Sequence, residues 1–465
     1  AGGSVCLEAF EIALGQEGQG RWYVSTMELQ LASFSFCVAC RDAREFLVVI
    51  NKEMPLSLWG DDDDAHATPE RQLPALRVTH VNWYLPADML VSVLVESKLM
   101  GSKLTFGSRF NRSITGVVWP AGLLELIFGQ TFNQPVTDIV WPTSLKDLTF
   151  GKCFDRQITD CGWPSCLLRL AFGDNLNFPI ISVVWPTTLR SLGFGGRFNQ
   201  PVEGVEWPSC LRSVEFGSAF NQQITAVEWP HSLEHTVFGE TFNQPVAGVN
   251  WPADITRLDF GDAFSHPIGG TTLPDSLQQL TLGRYFNRDG TALPESLSKL
   301  TLGEYFNQRI DANDLMPAGL EELHLTGEFN HPIDRVKWPS SLLILSLSGK
   351  FNKPIHGVSW SAQLQKLFFG EEFNQPVCDV VWPLDLRVLE FGHMFDQPID
   401  GVIWSSSLEE IRFGNSFNQN SDCVAWPPSL ERLRFGFKFN KQVNGVTWPT
   451  SLKSIEVGLG FTQPL

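Results

Sequence analysis

The sequence predicts an all-β fold: an elongated right-handed solenoid of about sixteen coils of 22 residues, in which equivalent strands form one parallel ladder. The first reason is a marker Phe that recurs every 22 residues, with single steps of 20 and 23 residues in the middle of the chain. The second reason is that two prolines interrupt most units and leave little room for a helix. The marker residues are Phe110, Phe132, Phe154, Leu176, Phe198, Phe220, Phe242, Phe264, Phe286, Phe306, Phe329, Phe351, Phe373, Phe395, Phe417, Phe439 and Phe461.

The strand of each coil is predicted from alternating apolar residues, as the second unit shows. Leu148 and Phe150 would face inward and Thr149 outward, and Gly151 then ends the strand with a turn. Trp141 precedes a proline, which favours an extended backbone. Thirteen of the 16 tryptophans occupy this position, and one coil cannot bury them alone. We therefore predict a buried Trp column that neighbouring coils share.

An Asn follows the marker Phe in most units, as in Asn133 and Asn199. Its amide can satisfy backbone groups at the turn and in the next coil, which buried loops require. Asp155 and Asp396 replace it in two units, so the position needs a short side chain with an acceptor oxygen. We therefore predict a ladder of Asn side chains along the coils.

The motif FN-x-P-[IV], followed by P-x-S-L-x-x-L-x-F-G, is repeated over residues 104–465. It resembles the FNIP repeat, a leucine-rich-repeat-like unit found in many copies in amoebae and other protists. The frequent Trp before the second Pro departs from the usual pattern of that family. The resemblance implies a curved solenoid whose Leu-x-Phe strands line one face. Members of the family are often fused to F-box or kinase-like modules, and we find neither motif in this sequence.

Residues 1–103 lack the repeat and are predicted to form a small β-rich region. Within it, residues 61–75 begin with a run of Asp and are predicted to be an acidic loop or linker. We interpret the region as a cap over the first coil, because an open strand edge templates pairing with other chains. An independent binding domain is the alternative.

Charge and cysteine content narrow the classes of partner and compartment. The formal net charge of −17 argues against nucleic acid, since phosphate binding needs concentrated Lys and Arg, and it suits a basic partner face. No apolar run approaches the ~18–20 residues of a transmembrane helix. The nine scattered cysteines favour a reducing compartment, which would be the cytoplasm, or an organelle if a targeting segment has been removed.

Two short motifs suggest metal chemistry, and we predict it for neither. His231, Glu234 and His235 match the spacing of a zinc motif that works only on a helix, whereas this stretch lies in an extended part of the repeat. Cys37 and Cys40 form a CxxC without a second pair at zinc spacing. We expect no metal site and no cofactor.

The strongest enzyme alternative is a β-solenoid that acts on polysaccharides, which would need a cluster of acidic, basic and aromatic residues on one face. The irregular region 264–317, where the spacing changes and the Trp is replaced, holds the candidates. They are His266, Arg284, Tyr285, Arg288, Asp289, Tyr305 and Asp311. Because Tyr285 and Tyr305 hold equivalent places in consecutive coils, we interpret them as repeat variation, and the region as a structural bend or a recognition site. We predict that the chain is not an enzyme.

The predicted function is that of a scaffold, an accessory subunit of a multi-protein assembly that binds other proteins through the solenoid surface. A soluble adaptor that recognises many targets is the alternative. Partners would contact the outward-facing third residue of each strand, where Val237 and Phe368 are predicted to be exposed apolar anchors. The predicted partner-binding residues are Val237, Phe368, Glu390, Arg412, Arg434, Tyr285 and Tyr305.

Overall fold

A computed structural model describes the backbone of four N-terminal strands and, with their side chains, residues 102–288, 293–311 and 316–464. The chain divides into two compact units, one formed by Ala1–Gln200 with Val205–Leu211 and the other by Pro201–Gly204 with Arg212–Leu465. Each unit carries its own run of parallel strands. The predicted acidic loop at 61–75 lies outside the described residues.

The N-terminal part of the first unit contains two antiparallel strand pairs. Strand β1 (Leu14–Glu17) pairs with β2 (Arg21–Val24). Strand β3 (Ser35–Asp42) pairs with β4 (Glu45–Asn51), with a register shift near the end of β3. These four strands are what the structure describes of the N-terminal region, and its identity as a β-rich cap stays a prediction.

Parallel strands of three or four residues form the ladder of each unit, and the described residues contain no helix. The first unit holds β5 (Lys103–Thr105), β6 (Glu125–Ile127), β7 (Asp147–Thr149), β8 (Arg169–Ala171) and β9 (Ser191–Gly193). The second unit holds β10 (Ser213–Glu215), β11 (His235–Val237), β12 (Arg257–Asp259), β13 (Gln279–Leu282), β14 (Lys299–Leu302), β15 (Glu322–Leu325), β16 (Ile344–Leu347), β17 (Lys366–Phe369), β18 (Val388–Glu390), β19 (Glu410–Arg412), β20 (Arg432–Arg434) and β21 (Ser454–Glu456). The predicted parallel-strand solenoid of about sixteen turns is confirmed.

Three tight turns separate the strand of one coil from that of the next, and each is closed by a backbone hydrogen bond across three residues. In one coil of the second unit, the amides of Phe242, Val249 and Ile255 donate to the carbonyls of Gly239, Val246 and Pro252 at 3.0, 3.1 and 3.3 Å. The second Pro of the unit thus begins a turn, where its fixed φ suits the chain. Turns use most of each coil, which explains why the strands are short.

Stacked aromatic columns fill the interior. The rings of Phe242 and Phe264 are fully buried and stack with centroids 6.2 Å apart. Trp382 and Trp404 are 5% and 8% exposed and also stack, with centroids 6.2 Å apart. Phe391 meets Trp382 edge to face at 6.3 Å, a favourable arrangement for buried rings. The Trp column is therefore part of the core, as predicted.

The predicted Asn ladder is also confirmed. The side-chain oxygen of Asn352 accepts hydrogen bonds from the backbone amide of Asn374 at 3.0 Å and from Nε2 of Gln375 at 2.8 Å. Asp396 serves in the same way, because its Oδ1 accepts from the amide of Asn418 at 2.9 Å. An acceptor oxygen at this position satisfies a backbone donor of the following coil.

Candidate protein-interaction surface

The third residue of each strand forms an outward-facing column in both units. Thr149 and Ala171 are neighbours in the first unit, and Phe368 and Glu390 are neighbours in the second. The prediction that Val237 and Phe368 are exposed is wrong, because both are half-buried. Strands on either side lie ~4.8 Å away and flank each side chain, so only its outer surface meets solvent.

Val237 lines two open depressions in the second unit. One, of about 340 Å³, is bordered by His235 and Arg257 among others. The other, of about 710 Å³, extends from Val237 past Asp259 to Arg284. Burial raises the pKa of the Asp259 carboxyl, although its hydrogen bond with Arg257 opposes that shift. The larger depression is called the groove below. It begins at the outward column, and the carboxyl of Asp259 makes part of its wall acidic.

Phe368 belongs to a small apolar patch on the strand face, the Phe368 cluster, formed by Ile344, Phe368 and Val388. Ile344 and Val388 both pair with Lys366, which lies two residues before Phe368 on the same face. All three apolar side chains are half-buried. Sequence reasoning missed Ile344 and Val388 because it followed only the third strand position. The available signal was an apolar residue at the first strand position, where most other strands carry a polar or charged residue.

The predicted charges near the end of the column are engaged within the chain. Arg412 forms ion pairs with Glu390, at 3.1 Å, and with Glu410. Arg432 donates to the second oxygen of Glu410 at 2.9 Å. Burial acts to raise the pKa of Glu410, but the hydrogen bonds from the two arginines outweigh it and hold that pKa below its ordinary value. Arg434 lies 3.6 Å from Glu456, and both side chains are about two-thirds exposed.

Tyr285 and Tyr305 form a stacked pair on the turn that follows the strand, away from the outward column. The centroids of the two rings lie 5.0 Å apart and their planes form an angle of 6°. Tyr285 is 50% exposed and Tyr305 is 39% exposed. The guanidinium carbon of Arg284 is 5.9 and 5.7 Å from the two ring centroids. Arg284 also donates to Glu304, at 2.6 and 3.0 Å, and this bond raises the pKa of Arg284. The seven predicted partner-binding residues thus divide between a strand face and a turn edge.

Other candidates in the region 264–317 have separate structural partners. The Nε2 atom of His266 is 3.2 Å from the carbonyl oxygen of Asn243, and Nε of Arg288 donates to a backbone carbonyl at 2.9 Å. In another coil Gln244 makes the same bond, at 3.1 Å, so His266 and Arg288 are variants of this repeat position. Asp311 forms an ion pair with Arg309. Asp289 lies outside the described residues.

The zinc-like spacing does not assemble a metal site. Glu234 pairs with Arg212 at 2.9 Å, and Nδ1 of His235 is 3.3 Å from the hydroxyl of Thr256. Within residues 102–288, 293–311 and 316–464, no group of three or more His, Cys, Asp and Glu could hold a metal ion. The side chains of Cys37 and Cys40 are outside the described part of the chain.

Nowhere in the described part of the chain is there a helix long and apolar enough to cross a membrane.

Comparison with known proteins places the chain among repeat proteins. The model of the FNIP repeat matches residues 110–153, 242–285, 264–305 and 395–438. The crystal structure of CroV588, described as a novel circular LRR (leucine-rich-repeat) protein, has 35% sequence identity and a TM-score of 0.66. The match covers 78% of this chain and 60% of the CroV588 chain, so this chain spans less than two thirds of that relative.

A more distant likeness involves YopM, a leucine-rich effector protein from Yersinia pestis. It has 16% identity and a TM-score of 0.44, and the match covers 73% of this chain and 84% of that one. No curated protein sequence matches the chain.

Proposed function

Since the chain carries FNIP repeats folded as a leucine-rich-repeat-like solenoid, we propose that it is a non-catalytic scaffold that serves as an accessory subunit of a larger protein assembly. Solenoids of stacked repeats offer extended surfaces for binding other proteins. The strand face of the second unit is the surface that we assign to partner binding, and its partners are proteins.

The observation that carries this proposal is the composition of the Phe368 cluster. Ile344, Phe368 and Val388 are apolar and half-buried, while Lys366 and Glu390 lie among and beside them. Protein interfaces combine an apolar centre with a polar rim, and a few central residues carry most of the binding energy. The stem of Lys366 can also cover apolar surface while its ammonium group stays in water.

The ion pairs beside the cluster support binding in a fixed geometry. Arg412 is held by Glu390 and Glu410, so its guanidinium does not need to be ordered by the partner. Side chains that are ordered before binding lose less conformational entropy when the complex forms.

The cysteines Cys166, Cys210, Cys378 and Cys423 are exposed free thiols, which fits our proposal of a reducing compartment.

The test uses the tagged full chain in the source cells. After gentle lysis, the native mass is measured and co-migrating proteins are identified by mass spectrometry. We expect the wild-type chain to migrate within a stable complex and Phe368→Asp to release it, because a carboxylate in the apolar centre must be desolvated. Thr149→Asp is the matched control, since it adds the same charge at the same strand position in the first unit.

Wild-type protein that migrates alone, near its own mass of 52.0 kDa, would contradict the role of accessory subunit. Loss of the complex with Thr149→Asp but not with Phe368→Asp would place the contact outside the strand face of the second unit.

The alternative function is a soluble adaptor that binds targets transiently. The exposure of the Tyr285–Tyr305 pair favours it, because exposed aromatic and Arg residues are common centres of recognition sites. Migration near 52.0 kDa together with short-lived cross-linked partners is the outcome expected for an adaptor.

A further inference from the structure

We propose that the turn edge around Tyr285 binds an extended basic segment of a partner protein and that an arginine of this segment stacks on the outer face of the Tyr285 ring. The proposal deepens the protein-binding function proposed above and rests on it. It concerns a different surface from the Phe368 cluster, so each surface can be tested separately.

The first argument is that one outer face of the tyrosine stack is open. The residue that precedes Tyr285 by one coil at the same position is Ala263, and the two coils are joined by the hydrogen bond from the amide of Tyr285 to the carbonyl of Asp262, at 2.9 Å. An alanine side chain is too short to cover a phenol ring. The exposed fraction of Tyr285, 50%, agrees with an uncovered face.

The second argument is that the chain already places one guanidinium within cation–π distance of these rings. Arg284 lies almost equally far from both rings, at 5.9 and 5.7 Å, while the rings are 5.0 Å apart. A point equidistant from two stacked rings lies beside the stack, so Arg284 leaves the outer face of Tyr285 free. Its guanidinium is held between the aromatic pair and the carboxylate of Glu304. A partner arginine over Ala263 would have the same kind of environment, with Tyr285 on one side and Asp262 nearby.

The third argument is the charge of the turn edge that runs through these coils. The residues after each strand supply six carboxylates and two cations, namely Glu240, Asp262, Glu304, Glu328, Glu371, Glu372, Arg284 and Lys350. Both cations are paired, Arg284 with Glu304 and Lys350 with Glu328. Among the described residues, no ion pair engages Glu240, Asp262, Glu371 or Glu372.

The charge of the turn edge and the shape of the groove favour an extended basic segment as the ligand. The groove of about 710 Å³ runs from Val237 past Asp259 and Asp262 to Arg284 and Glu304, the residues that directly precede the two tyrosines in the chain. Its unpaired carboxylates attract a cationic segment and repel an acidic one. Arginine suits the site better than lysine, because its planar guanidinium stacks on aromatic faces and pairs with carboxylates at the same time.

The experiment measures fluorescence anisotropy with the purified full chain. The probes are a fluorescein-labelled, unstructured Gly/Ser peptide that carries several arginines and the same peptide with lysines in their place. We expect the arginine peptide to bind more tightly. Replacing both tyrosines, Tyr285→Ala with Tyr305→Ala, should weaken binding of the arginine peptide about 5- to 30-fold without changing the net charge.

Two further variants separate the contributions. Asp262→Asn should weaken binding and reduce its dependence on salt, because one unpaired carboxylate is removed. Phe437→Ala is the matched control, since Phe437 is 55% exposed on the turn after another strand, and it should leave binding unchanged. Thermal unfolding of each variant verifies that the fold is intact.

Several outcomes would overturn the proposal. Equal binding of the two peptides together with no effect of the tyrosine variant would mean that the net charge of −17 attracts any cation. No binding of the arginine peptide would contradict the proposal outright. If the tyrosine variant instead abolishes self-association of the pure chain in sedimentation, the occupant is a second copy. Phe368→Asp should retain binding of the arginine peptide, because it changes a different surface. If the arginine peptide does not bind at the tyrosine pair, the proposal that the strand face binds a partner is unaffected.

Discussion

A side chain on Gly261 would collide with the backbone of Gly239, because a Cβ built at Gly261 lies 1.7 Å from the carbonyl oxygen of Gly239. The same approach recurs one coil further on, where a Cβ at Gly283 would lie 1.8 Å from the carbonyl oxygen of Gly261. Glycine is therefore required after the strand because neighbouring coils touch there. Turn formation, the reason that the sequence suggests, is the smaller part of its role.

We expect Gly261→Ala to destabilise the protein by about 3 kcal/mol, since backbone atoms must move apart to admit the methyl group. Thermal unfolding followed by circular dichroism measures the change as a lower Tm. Gly162→Ala is the control, because a Cβ there has nothing within 4 Å. An equal fall in Tm for both variants would contradict close packing as the reason for Gly261.

The Asn ladder makes a second prediction. Asn352→Ala leaves the backbone amide of Asn374 and the side chain of Gln375 without their acceptor, and because both donors are only partly buried we expect a loss of about 1 kcal/mol. Asn352→Asp keeps an acceptor oxygen, as Asp396 does naturally, and should lose clearly less. Urea denaturation of the two variants provides the comparison. If aspartate is as harmful as alanine, the acceptor is not what the position requires.

The ion pairs of Glu410 predict a dependence of stability on pH. The folded-state pKa of Glu410 lies below the ordinary value of 4.5, so its contribution to stability is present above pH 4.5 and is lost as the pH falls through the lower, folded value. Glu410→Gln should therefore cost about 1–3 kcal/mol at pH 7 and almost nothing at strongly acidic pH. Thermal unfolding of the wild type and the variant across this range tests the prediction. A penalty that does not change with pH would contradict it.

The two arginines of the outward column should respond differently to charge reversal. Arg412→Glu places a third carboxylate beside Glu390 and Glu410, and solvent screens this repulsion because the side chains of Arg412 and Glu390 are 41% and 39% exposed, so we expect a loss of about 1 kcal/mol of stability. Arg434 is 64% exposed on its side chain, and Arg434→Glu should change stability by less than about 0.5 kcal/mol.

Partner capture by the same two variants completes this test. If the strand face binds a partner near these residues, Arg434→Glu weakens capture although its Tm is normal. Normal capture by Arg434→Glu would place the partner elsewhere on the solenoid. Weak capture by Arg412→Glu alone is explained by its lower stability.

Much of the fold follows from the sequence because each coil repeats the same physical requirements. The columns of Phe, Trp and Asn were predictable, since one coil cannot satisfy these side chains without its neighbours. The ends of the strands were less predictable. The sequence places Phe150 in the strand, but β7 ends at Thr149. The amide of Phe150 nevertheless donates to the carbonyl of Ala171 in the next coil at 2.8 Å. The role of Gly261 depends on the distance between the backbones of neighbouring coils. The spacing of residues along the sequence does not give this distance.

The candidate surfaces were only partly predictable for a related reason. The sequence showed that Tyr285 and Tyr305 are equivalent, but the open outer face of Tyr285 depends on the short side chain of Ala263 one coil away. Phe368 was correctly placed in the outward column, yet its half-burial comes from neighbours on both sides. The pairing of Arg412 with Glu390 could have been anticipated by aligning the column, because the two residues are 22 positions apart.

The equivalence of neighbouring coils has a consequence for inheritance. Where every coil presents the same packing face to the next, unequal recombination within the gene adds or deletes whole coils, and the product still packs if the 22-residue phase is kept. The step of 20 residues between Phe286 and Phe306 keeps the same contacts, since the amide of Asn307 still donates to the side-chain oxygen of Asn287 at 3.0 Å. Exchange of the coils around the tyrosine pair therefore also preserves the packing when the crossover falls at equivalent positions of two coils.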